Sequence, residues 1–525
     1  MRMNRPLEVH KRATLTVLLL AAAVFYAIFM MRTTFRVRGE LYFTLIDDAM
    51  VSMRYAQHLA QGYGLTWNIG EKPIEGFTNP AWMLLMVPAH IFHVAASKTS
   101  LPVMVLSGLC LLGTALAAYK LCGALSGGAR YAPLIAAGIT AFYFPLVFWS
   151  MRGMEVGFLT LLVELSLLCA LSLVKGKRLA ISALLGLLFV LALAVRMDSV
   201  LQLSIILAYV IVSQKPSLHR AAIPLAALIL ALAGILCFQH AYFGDFLPNT
   251  FYQKVVGASI SERLRNGIVV FAEHATRDTL VLVLFSIASI MLHRGLKNRE
   301  TAVLAGLFVV QCLYSVWVGG DYAEPEVDAA NRFITQGMPF LIVLFSLGVE
   351  RIIASLTDAQ PPERPGVGFR GAAIAAGVAF AVLLVVSGKP WMNWIIHNAP
   401  LLKADIRRVR IGLSIAEHTS SAATIAVHAA GQIPYYSGRR TIDLLGLNDR
   451  VIARGPMTGP FYPGHDKWNY DYSILQLRPD LIADNWIRLG EFMKGNADYG
   501  QLDNGMYVRR DSALVDVPGL LQPVR

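Results

Sequence analysis

Residues 13–31 read ATLTVLLLAAAVFYAIFMM, an uncharged apolar run that is long enough to cross a lipid bilayer as a helix. Basic residues stand on both sides of the run, and no small-residue cleavage site follows it. We therefore expect a retained signal anchor with its N-terminus inside. The chain that leaves this anchor soon carries two adjacent carboxylates, Asp47 and Asp48, in the stretch FTLIDDAMVSMRYAQHLA.

The whole chain, like this first run, is rich in apolar residues. Of its 525 residues, 56% are hydrophobic and 15% are charged, which is typical of a polytopic membrane protein. The formal net charge is +12, but the basic residues cluster in short links between apolar runs, which indicates cytoplasmic loops rather than nucleic-acid binding. All five cysteines lie within or beside apolar runs, which argues against a disulfide framework or a zinc site.

Twelve apolar runs approach spanning length, and the positive-inside rule favours eleven crossings. With twelve crossings, the basic links near residues 175–178, 215–220 and 294–299 would lie outside. The run 80–96 is short, begins with proline and contains Pro88, so we expect a partial or re-entrant helix there. The predicted fold is an α-helical polytopic membrane protein with about 11 transmembrane helices.

The same parity places most acidic and aromatic clusters of the membrane half on the outer side, including the loops 32–100 and 242–277. After about residue 389 the sequence changes to short alternating runs between Gly and Pro turns, such as residues 424–431 and 478–484, and these runs predict the strands of a small α/β domain. We therefore predict a membrane domain at 1–388, with a first outer loop at 32–80, and an extracytoplasmic domain at 389–525.

The Asp pair precedes a helical pattern that stops at Gly62 and Gly64. We expect one Asp at or near the N-cap of this helix, but a second carboxylate is not needed for capping and can accept a proton or bind a cation. Asp47 is favoured over Asp48, because a seven-residue spacing places Asp47 and Arg54 on the same side of the helix.

The string DDAMVSMRYAQHLAQGYGLTWNIGEKPIEGFTNPAW, residues 47–82, resembles the first outer loop of bacterial GT-C glycosyltransferases similar to the mycobacterial terminal arabinofuranosyltransferase. Met50, Met53 and Ile74 depart from the residues usual in that family, which leaves the particular sugar undecided. The resemblance continues in YFGDFLPNTFYQK (242–254), in GGDY (319–322) followed by RF (332–333), in IDLLGLNDRVIARGP (442–456) and in PGHDK (463–467).

The resemblance implies an integral enzyme of the bacterial inner membrane that takes a sugar, such as arabinofuranose, from a polyprenyl-phosphate donor. It passes the sugar to a glycan, a lipid-linked glycan or a protein on the periplasmic side. In the favoured inverting displacement, one Asp of the pair removes the acceptor proton while cationic side chains hold the leaving phosphate. Arg196, Lys254 and Arg332 are the candidates for the phosphate. No ligand set demands a metal, although a divalent cation is compatible with this chemistry.

Other polar residues of these segments are candidates for binding substrate. They are Arg54, Tyr55, Glu75, Asn79, Asp245, Asn249, Asp321, His465 and Lys467. In the tail, His465 and Lys467 stand next to aromatic residues, a mixture suited to stacking on a sugar, although a loop that only packs against the membrane domain would explain the same pattern.

Two other classes of protein remain as alternatives. A transporter or flippase of lipid-linked saccharides would need acidic groups on the inner side and paired repeat halves, and this sequence shows neither. A binding or scaffold protein would keep its function after Asp47→Asn and Asp48→Asn. The expected partners are the lipid-linked donor, the acceptor and membrane lipid, without nucleic acid.

Overall fold

The protein folds into two compact units, each assembled from segments that are distant in the sequence. The computed structural model describes residues 5–126, 129–176, 179–213, 219–275, 279–292, 299–321, 327, 331–357 and 367–522. Unit 1 comprises Met1–Arg32, Val105–Ala233 and Arg265–Asn398, and unit 2 comprises Thr33–Met104, Gly234–Leu264 and Ala399–Arg525. The basic residues near 177–178, 215 and 294–297, together with Tyr322 of GGDY, lie outside the described residues.

The chain as far as residue 397 is mostly helical. In chain order these helices are α1 Arg5–Arg32, α2 Asp47–Ala60, α3 Pro80–Ile91, α4 Ser100–Leu125, α5 Ala132–Phe142, α6 Phe144–Met151, α7 Val156–Lys175, α8 Leu179–Val195, α9 Val200–Ser213, α10 His219–Phe243, α11 Asn249–Val255, α12 Ile260–His274, α13 Leu280–Leu292, α14 Arg299–Val318, α15 Arg332–Thr335, α16 Met338–Thr357 and α17 Val367–His397. A short 3-10 helix, Met197–Ser199, precedes α9.

Six helices in the described part of the chain are long and apolar enough to cross a membrane. They are Lys11–Arg32, Ser100–Leu125, Val156–Lys175, Arg220–Phe243, Arg299–Val318 and Ala373–His397. The pair α5 and α6 makes a seventh if the two are taken as one span bent by 48°. Two other expected crossings, α8 and the segment Met197–Ser213, are apolar but shorter. The chain is therefore a multi-pass helical protein, and the count of eleven crossings stays a prediction.

Proline explains two of the irregular helices. Helix α3 has 12 residues with Pro88 inside it, so it rises about 18 Å at 1.5 Å per residue, well short of a hydrocarbon core of about 30 Å. The break between α5 and α6 lies at Tyr143, which has extended backbone angles, and a proline stands at the start of α6. Proline lacks the N–H that would continue the α5 ladder, so a new helix begins there.

Unit 1 is held together by polar contacts at helix ends as well as by apolar packing. The Glu350 carboxylate of α16 accepts three hydrogen bonds of 2.7 Å from the backbone N–H groups of residues 130–132, at the N-terminus of α5. This satisfies donors that a helix start leaves unpaired. The Phe29 ring of α1 stacks on Trp394 of α17 with centroids 5.5 Å apart.

Unit 2 begins with a tight hairpin and ends with a five-stranded sheet. Strands β1 Phe35–Val37 and β2 Glu40–Tyr42 are antiparallel, and the two turn residues Arg38 and Gly39 both have positive φ, of 52° and 82°. Such angles match the right-handed twist of the flanking strands. The remaining strands are β3 Thr424–Val427, β4 Arg440–Asp443, β5 Leu481–Ile482, β6 Tyr499–Gln501 and β7 Tyr507–Arg509.

The sheet of residues 424–509 has the order β4-β3-β5-β7-β6. Strand β3 is parallel to β4 and β5, whereas β7 is antiparallel to β5 and β6. The helices of this region are α18 Leu402–His418, α19 Gln432–Ser437, α20 Arg450–Arg454, α21 Leu489–Phe492 and α22 Val517–Leu520, with a π-helical turn at Asp471–Gln476.

Both faces of this sheet are buried, because alternate residues of each strand enter different apolar clusters. Ile425 and Val427 of β3 pack with Ile415 of α18 on one face. Ala426 of β3 packs with Ile474 of the π-helical turn on the other face. The predicted α-helical membrane protein with a C-terminal α/β domain is confirmed.

Candidate active site

The Asp pair forms the first turn of α2, but neither residue is its N-cap. The N-cap is Ile46, which makes no side-chain capping bond, so an Asp lies next to the N-cap, as expected, without capping the helix itself. Asp47 and Asp48 lie one and two positions inside the helix, where carboxylates interact favourably with the positive end of the helix dipole. Both side chains are half-buried.

Asp47 binds the start of a different helix in unit 2. Its carboxylate accepts hydrogen bonds from the backbone N–H groups of Gly431, at 3.2 Å, and Gln432, at 2.8 Å. Gly431 is required by this approach, since a Cβ there would come within 1.9 Å of the Asp47 carbonyl oxygen. Burial raises the pKa of Asp47 to about 6, against the lowering effects of Arg408 and of the Gln432 N–H.

The charge of Asp48 acts on His465, a titratable residue that is far from it in the sequence. Burial lowers the pKa of His465 to about 4, while the charge of Asp48 raises it and that of Lys254 lowers it. A Cβ on Gly464 would come within 3.0 Å of Lys254 Cε. Lys254 therefore lies against the residue next to His465, and Asp48 influences the same histidine through its charge; the three come from three of the matching segments.

Arg54 and Tyr55 are buried and engaged by the protein itself. Arg54 is 3% exposed and donates to the carbonyl oxygens of Trp67 at 2.7 Å and Arg439 at 2.8 Å, and also to that of Pro434. Tyr55 donates to the carbonyl oxygen of Ile74 at 2.6 Å. These contacts join α2 to the following loop and to the C-terminal domain, which is a structural role.

Glu75 and Asn79 are likewise interior. Glu75 accepts a hydrogen bond of 2.9 Å from the Gln239 side chain, and burial raises its pKa to about 8. The Asn79 side-chain oxygen accepts from the Ser52 hydroxyl at 2.8 Å. Both residues tie the turn-rich loop after α2 to neighbouring helices.

The segments 242–254 and 442–467, which the resemblance singled out, contact each other in unit 2. Asp245 forms ion pairs with Arg450 and Arg454. Asn249 donates to the carbonyl oxygens of residues 446 and 447 at 2.9 Å. Lys467 is 1% exposed and donates to the carbonyl oxygens of residues 252 and 453. Asp245, Asn249 and Lys467 therefore build the scaffold beside Lys254 and His465.

The other phosphate candidates lie in unit 1 and are paired with carboxylates. Arg196 forms ion pairs with Glu155 at 2.7 Å and Asp198 at 2.8 Å, and Arg332 pairs with Asp321 at 2.9 Å. Both guanidinium groups lie over the Phe333 ring, with Cζ of Arg196 5.6 Å and Cζ of Arg332 5.5 Å from the ring centroid. An incoming phosphate would have to compete with these carboxylates. The spacing of residues along the sequence did not reveal these ion pairs.

The sequence interpretation missed three residues at the carboxyl ends of the parallel strands. His428 directly follows β3, Asp484 follows β5, and the two side chains are 2.9 Å apart. Trp486 comes two residues later, and its ring centroid lies 5.1 Å from that of His465. Part of the signal was present, since His428 and Asp484 both lie in alternating runs that predict strands, and carboxyl ends of parallel strands meet at one edge.

Within the described residues, no group of three or more His, Cys, Asp or Glu side chains is arranged to hold a metal ion. The divalent cation that the sequence left open therefore gains no candidate ligand set among these residues.

Comparisons with known proteins define the fold. A family model described as a domain of unknown function, DUF8728, matches residues 401–515, and the search of curated proteins found no match. The structure is similar to that of ArnT from Cupriavidus metallidurans bound to undecaprenyl phosphate, with a TM-score of 0.53, 12% identity, and coverage of 82% of this chain and 85% of that one.

Two structures from Archaeoglobus fulgidus are similar as well. One is an oligosaccharyltransferase tethered to an acceptor peptide, with a TM-score of 0.52 and 12% identity over 82% of this chain and 64% of that one. The other is AglB in complex with an inhibitory peptide and a dolichol-phosphate, with a TM-score of 0.51 at the same identity and coverage. The chain thus has the membrane fold of the GT-C type.

Proposed function

We propose that the protein is a GT-C glycosyltransferase that moves a sugar from a polyprenyl-phosphate donor to an acceptor hydroxyl on the outer side of the bacterial inner membrane. The proposal is supported by the solved neighbours, which bind undecaprenyl phosphate, dolichol-phosphate or an acceptor peptide. The sequence resemblance favours a pentose donor such as arabinofuranose and a cell-envelope acceptor.

The observation that carries the proposal is the different surroundings of the two aspartates. Asp47 has its carboxylate occupied by two backbone N–H groups of the β3–α19 loop. This contact fixes the first turn of α2, where the next residue, Asp48, acts through its charge on His465. We assign the general base to Asp48 and give Asp47 the role of positioning it, which reverses the preference expected from helical spacing.

In the mechanism, the acceptor hydroxyl attacks the anomeric carbon of the donor while Asp48 takes the hydroxyl proton. The bond between the anomeric carbon and the phosphate oxygen breaks, a new glycosidic bond forms, and polyprenyl phosphate leaves. A single displacement inverts the anomeric configuration. Lys254 is the phosphate contact that we favour, since it lies against Gly464, next to His465, in unit 2, and Arg196 and Arg332 are further candidates in unit 1.

The test uses the full-length protein in lipid nanodiscs with synthetic polyprenyl-phosphate pentose and hexose donors. We expect one donor to be consumed with release of polyprenyl phosphate, measured by mass spectrometry, and the product to have inverted configuration by NMR. Absence of turnover from every donor would refute the proposal. Transbilayer movement of a fluorescent lipid-linked saccharide without any cleavage would instead support the transporter alternative.

A further inference from the structure

Helices α9 and α14 of unit 1 are antiparallel neighbours. A Cβ added to Gly306 of α14 would lie 3.4 Å from Ile205 Cγ2 of α9, so the two helices are in contact at this glycine. Arg299, the first residue of α14, donates a hydrogen bond of 3.1 Å to the carbonyl oxygen of Val212, near the end of α9. The C-terminal end of α9 therefore meets the N-terminal end of α14.

A cleft of about 240 Å³, which we call the α9–α14 cleft, opens between the two helices on the Arg299 side of the glycine contact. Five residues of α9 between Ile205 and Ser213 line it, together with three of α14 between Arg299 and Val303. Its volume is below the roughly 300–1,000 Å³ of a pocket that encloses a whole small molecule. The cleft therefore suits one part of an elongated ligand.

The α9–α14 cleft opens to the surroundings of the protein. Among its lining residues, Ala208 and Ala302 are exposed, and Val212 is 49% exposed. Helix α14 is long and apolar enough to cross a membrane, so an exposed apolar surface on it faces lipid chains. An acyl chain is the elongated apolar ligand that such surroundings supply.

A cationic group stands at the mouth of the cleft, where α9 ends and α14 begins. Arg299 is exposed, and its bond to the Val212 carbonyl oxygen holds the guanidinium across the mouth. The N-terminus of α14, a helix of 20 residues, adds backbone N–H groups and the positive end of a helix dipole. Guanidinium groups and helix N-termini both bind phosphate oxygens well.

One carboxylate lies beside the mouth as well. Glu300 follows Arg299 in the chain and accepts a hydrogen bond of 3.4 Å from the Tyr209 hydroxyl of α9. A phosphate at the mouth would be repelled by this carboxylate, so it must contact Arg299 to bind.

The sequence adds positive charge on both sides of the mouth. The residues that follow α9, QKPSLH (214–219), and those that precede α14, HRGLKN (293–298), contain three Lys or Arg residues and no acidic residue. The positive-inside rule predicts that both links are cytoplasmic. Basic sites between membrane helices on that side bind anionic lipid head groups.

We propose that the α9–α14 cleft binds an anionic phospholipid of the cytoplasmic leaflet, with the phosphate at Arg299 and one acyl chain between the helices. The polyprenyl-phosphate donor is a poorer fit, because the proposed transfer takes place on the outer side. The inference concerns binding alone, so it does not depend on the proposed transfer reaction.

The first test measures lipid binding to the delipidated full-length protein in detergent by native mass spectrometry. We expect phosphatidylglycerol to bind about tenfold more tightly than phosphatidylcholine with the same chains, Arg299→Gln to abolish this preference, and Arg299→Lys to keep part of it. Lys175→Gln is the matched control, since Lys175 is an exposed cation that donates to the carbonyl oxygen of Ala124 and does not line the cleft. Equal affinities of wild type for both lipids, or equal losses in Arg299→Gln and Lys175→Gln, would overturn the inference.

A second pair of variants tests the acyl chain. Ala302→Phe, which fills the cleft, should weaken the binding of phosphatidylglycerol about tenfold. Ala381→Phe is its control, because Ala381 lines a cleft of about 260 Å³ between α13, α16 and α17 whose lining residues are all apolar. Filling that cleft should leave the preference for phosphatidylglycerol unchanged. Equal losses in both variants would overturn the inference.

Crosslinking locates the lipid and identifies its class. Phosphatidylglycerol with a diazirine on one acyl chain should crosslink to peptides that contain residues 205–213 or 299–303, and crosslinks confined to other peptides would refute the site. Undecaprenyl phosphate is the competing occupant. If it bound in an Arg299-dependent manner and phosphatidylglycerol did not, the cleft would be a site for the sugar carrier and the proposal would be wrong.

Discussion

The two adjacent aspartates have the same chemistry but different surroundings, and we propose different roles for them. The Asp47 carboxylate accepts from the N–H groups of residues 431 and 432, whereas the charge of Asp48 acts on His465. Removal of a positioned general base typically costs about 10²- to 10⁴-fold in rate. The pair therefore offers an internal comparison between the proposed base and the proposed positioning residue.

We expect Asp48→Asn to lower kcat for sugar transfer by about 10²- to 10⁴-fold without changing the melting temperature of the protein. Asp47→Asn should lower the melting temperature and reduce kcat by only about tenfold, since it weakens a buried hydrogen-bonded contact. Kinetics with a lipid-phosphate donor and melting in detergent measure both quantities. A stable Asp47→Asn variant that is as inactive as Asp48→Asn would assign the base to Asp47.

Glu75 makes the stability of the protein depend on pH. Its folded pKa is about 8, raised by burial from the ordinary value of 4.5, so the folded state keeps a proton that the unfolded state releases. The stabilising contribution is complete below about pH 4.5 and is lost as the pH rises to about 8, by at most about 5 kcal/mol.

The corresponding prediction is that Glu75→Gln, which resembles the protonated carboxyl, has a flatter melting temperature between pH 5 and pH 8 than wild type. The variant should be the more stable protein at pH 8. Glu71→Gln, a half-exposed residue of the same loop that pairs with Arg440, is the control and should retain the wild-type slope. Identical pH profiles for wild type and Glu75→Gln would contradict the assignment.

Among the elements, the short loop between β3 and α19 has the greatest consequence, because it receives Asp47. The sequence predicted strands at 424–431 and 478–484, and the structure confirms strands within both ranges. It did not predict that the loop between β3 and α19 would contact the first turn of α2. A contact 384 residues apart in sequence leaves no periodic signal in either segment.

We expect Gly431→Ala to destabilise the protein and to abolish most of the transfer activity. A Cβ at this position would come within 1.9 Å of the Asp47 carbonyl oxygen, so the loop and α2 must separate. Gly234→Ala is the matched control, since a Cβ added to this helical glycine would meet no other atom within 4 Å; alanine there should be neutral or more stable by up to about 1 kcal/mol. The melting temperature and the transfer rate are measured for both variants. A stable, active Gly431→Ala protein would show that the contact with Asp47 is dispensable.

For the whole molecule, the central prediction is that both the first outer loop and the C-terminal domain face the periplasm. In a Cys237→Ala background, which removes the exposed native thiol, single cysteines at the exposed positions Lys72 and Asp503 should react with a membrane-impermeant maleimide in spheroplasts. A cysteine at the exposed Lys175 should react only after permeabilisation, because that link carries the positive charge expected inside. Protection of position 72 in intact spheroplasts would contradict the predicted orientation.

By itself the sequence determined the class of fold and the segments that matter. Apolar runs of spanning length require a membrane, since unpaired backbone groups cannot enter lipid except as helices or closed barrels. Alternating runs after residue 389 require a sheet. These properties depend on local composition and period, which a single sequence displays in full.

Only the tertiary structure decided which polar residues share a site. Arg54, Asn249 and Lys467 belong to the same motifs as Asp48, yet they are buried and bonded to backbone carbonyl oxygens. His428 and Asp484 belong to none of those motifs, yet their side chains lie 2.9 Å apart. Burial and hydrogen-bond partners arise from contacts between segments that are distant in the sequence. The free energy of these contacts determines which carboxylate can act on a substrate, and the spacing of residues along the chain does not.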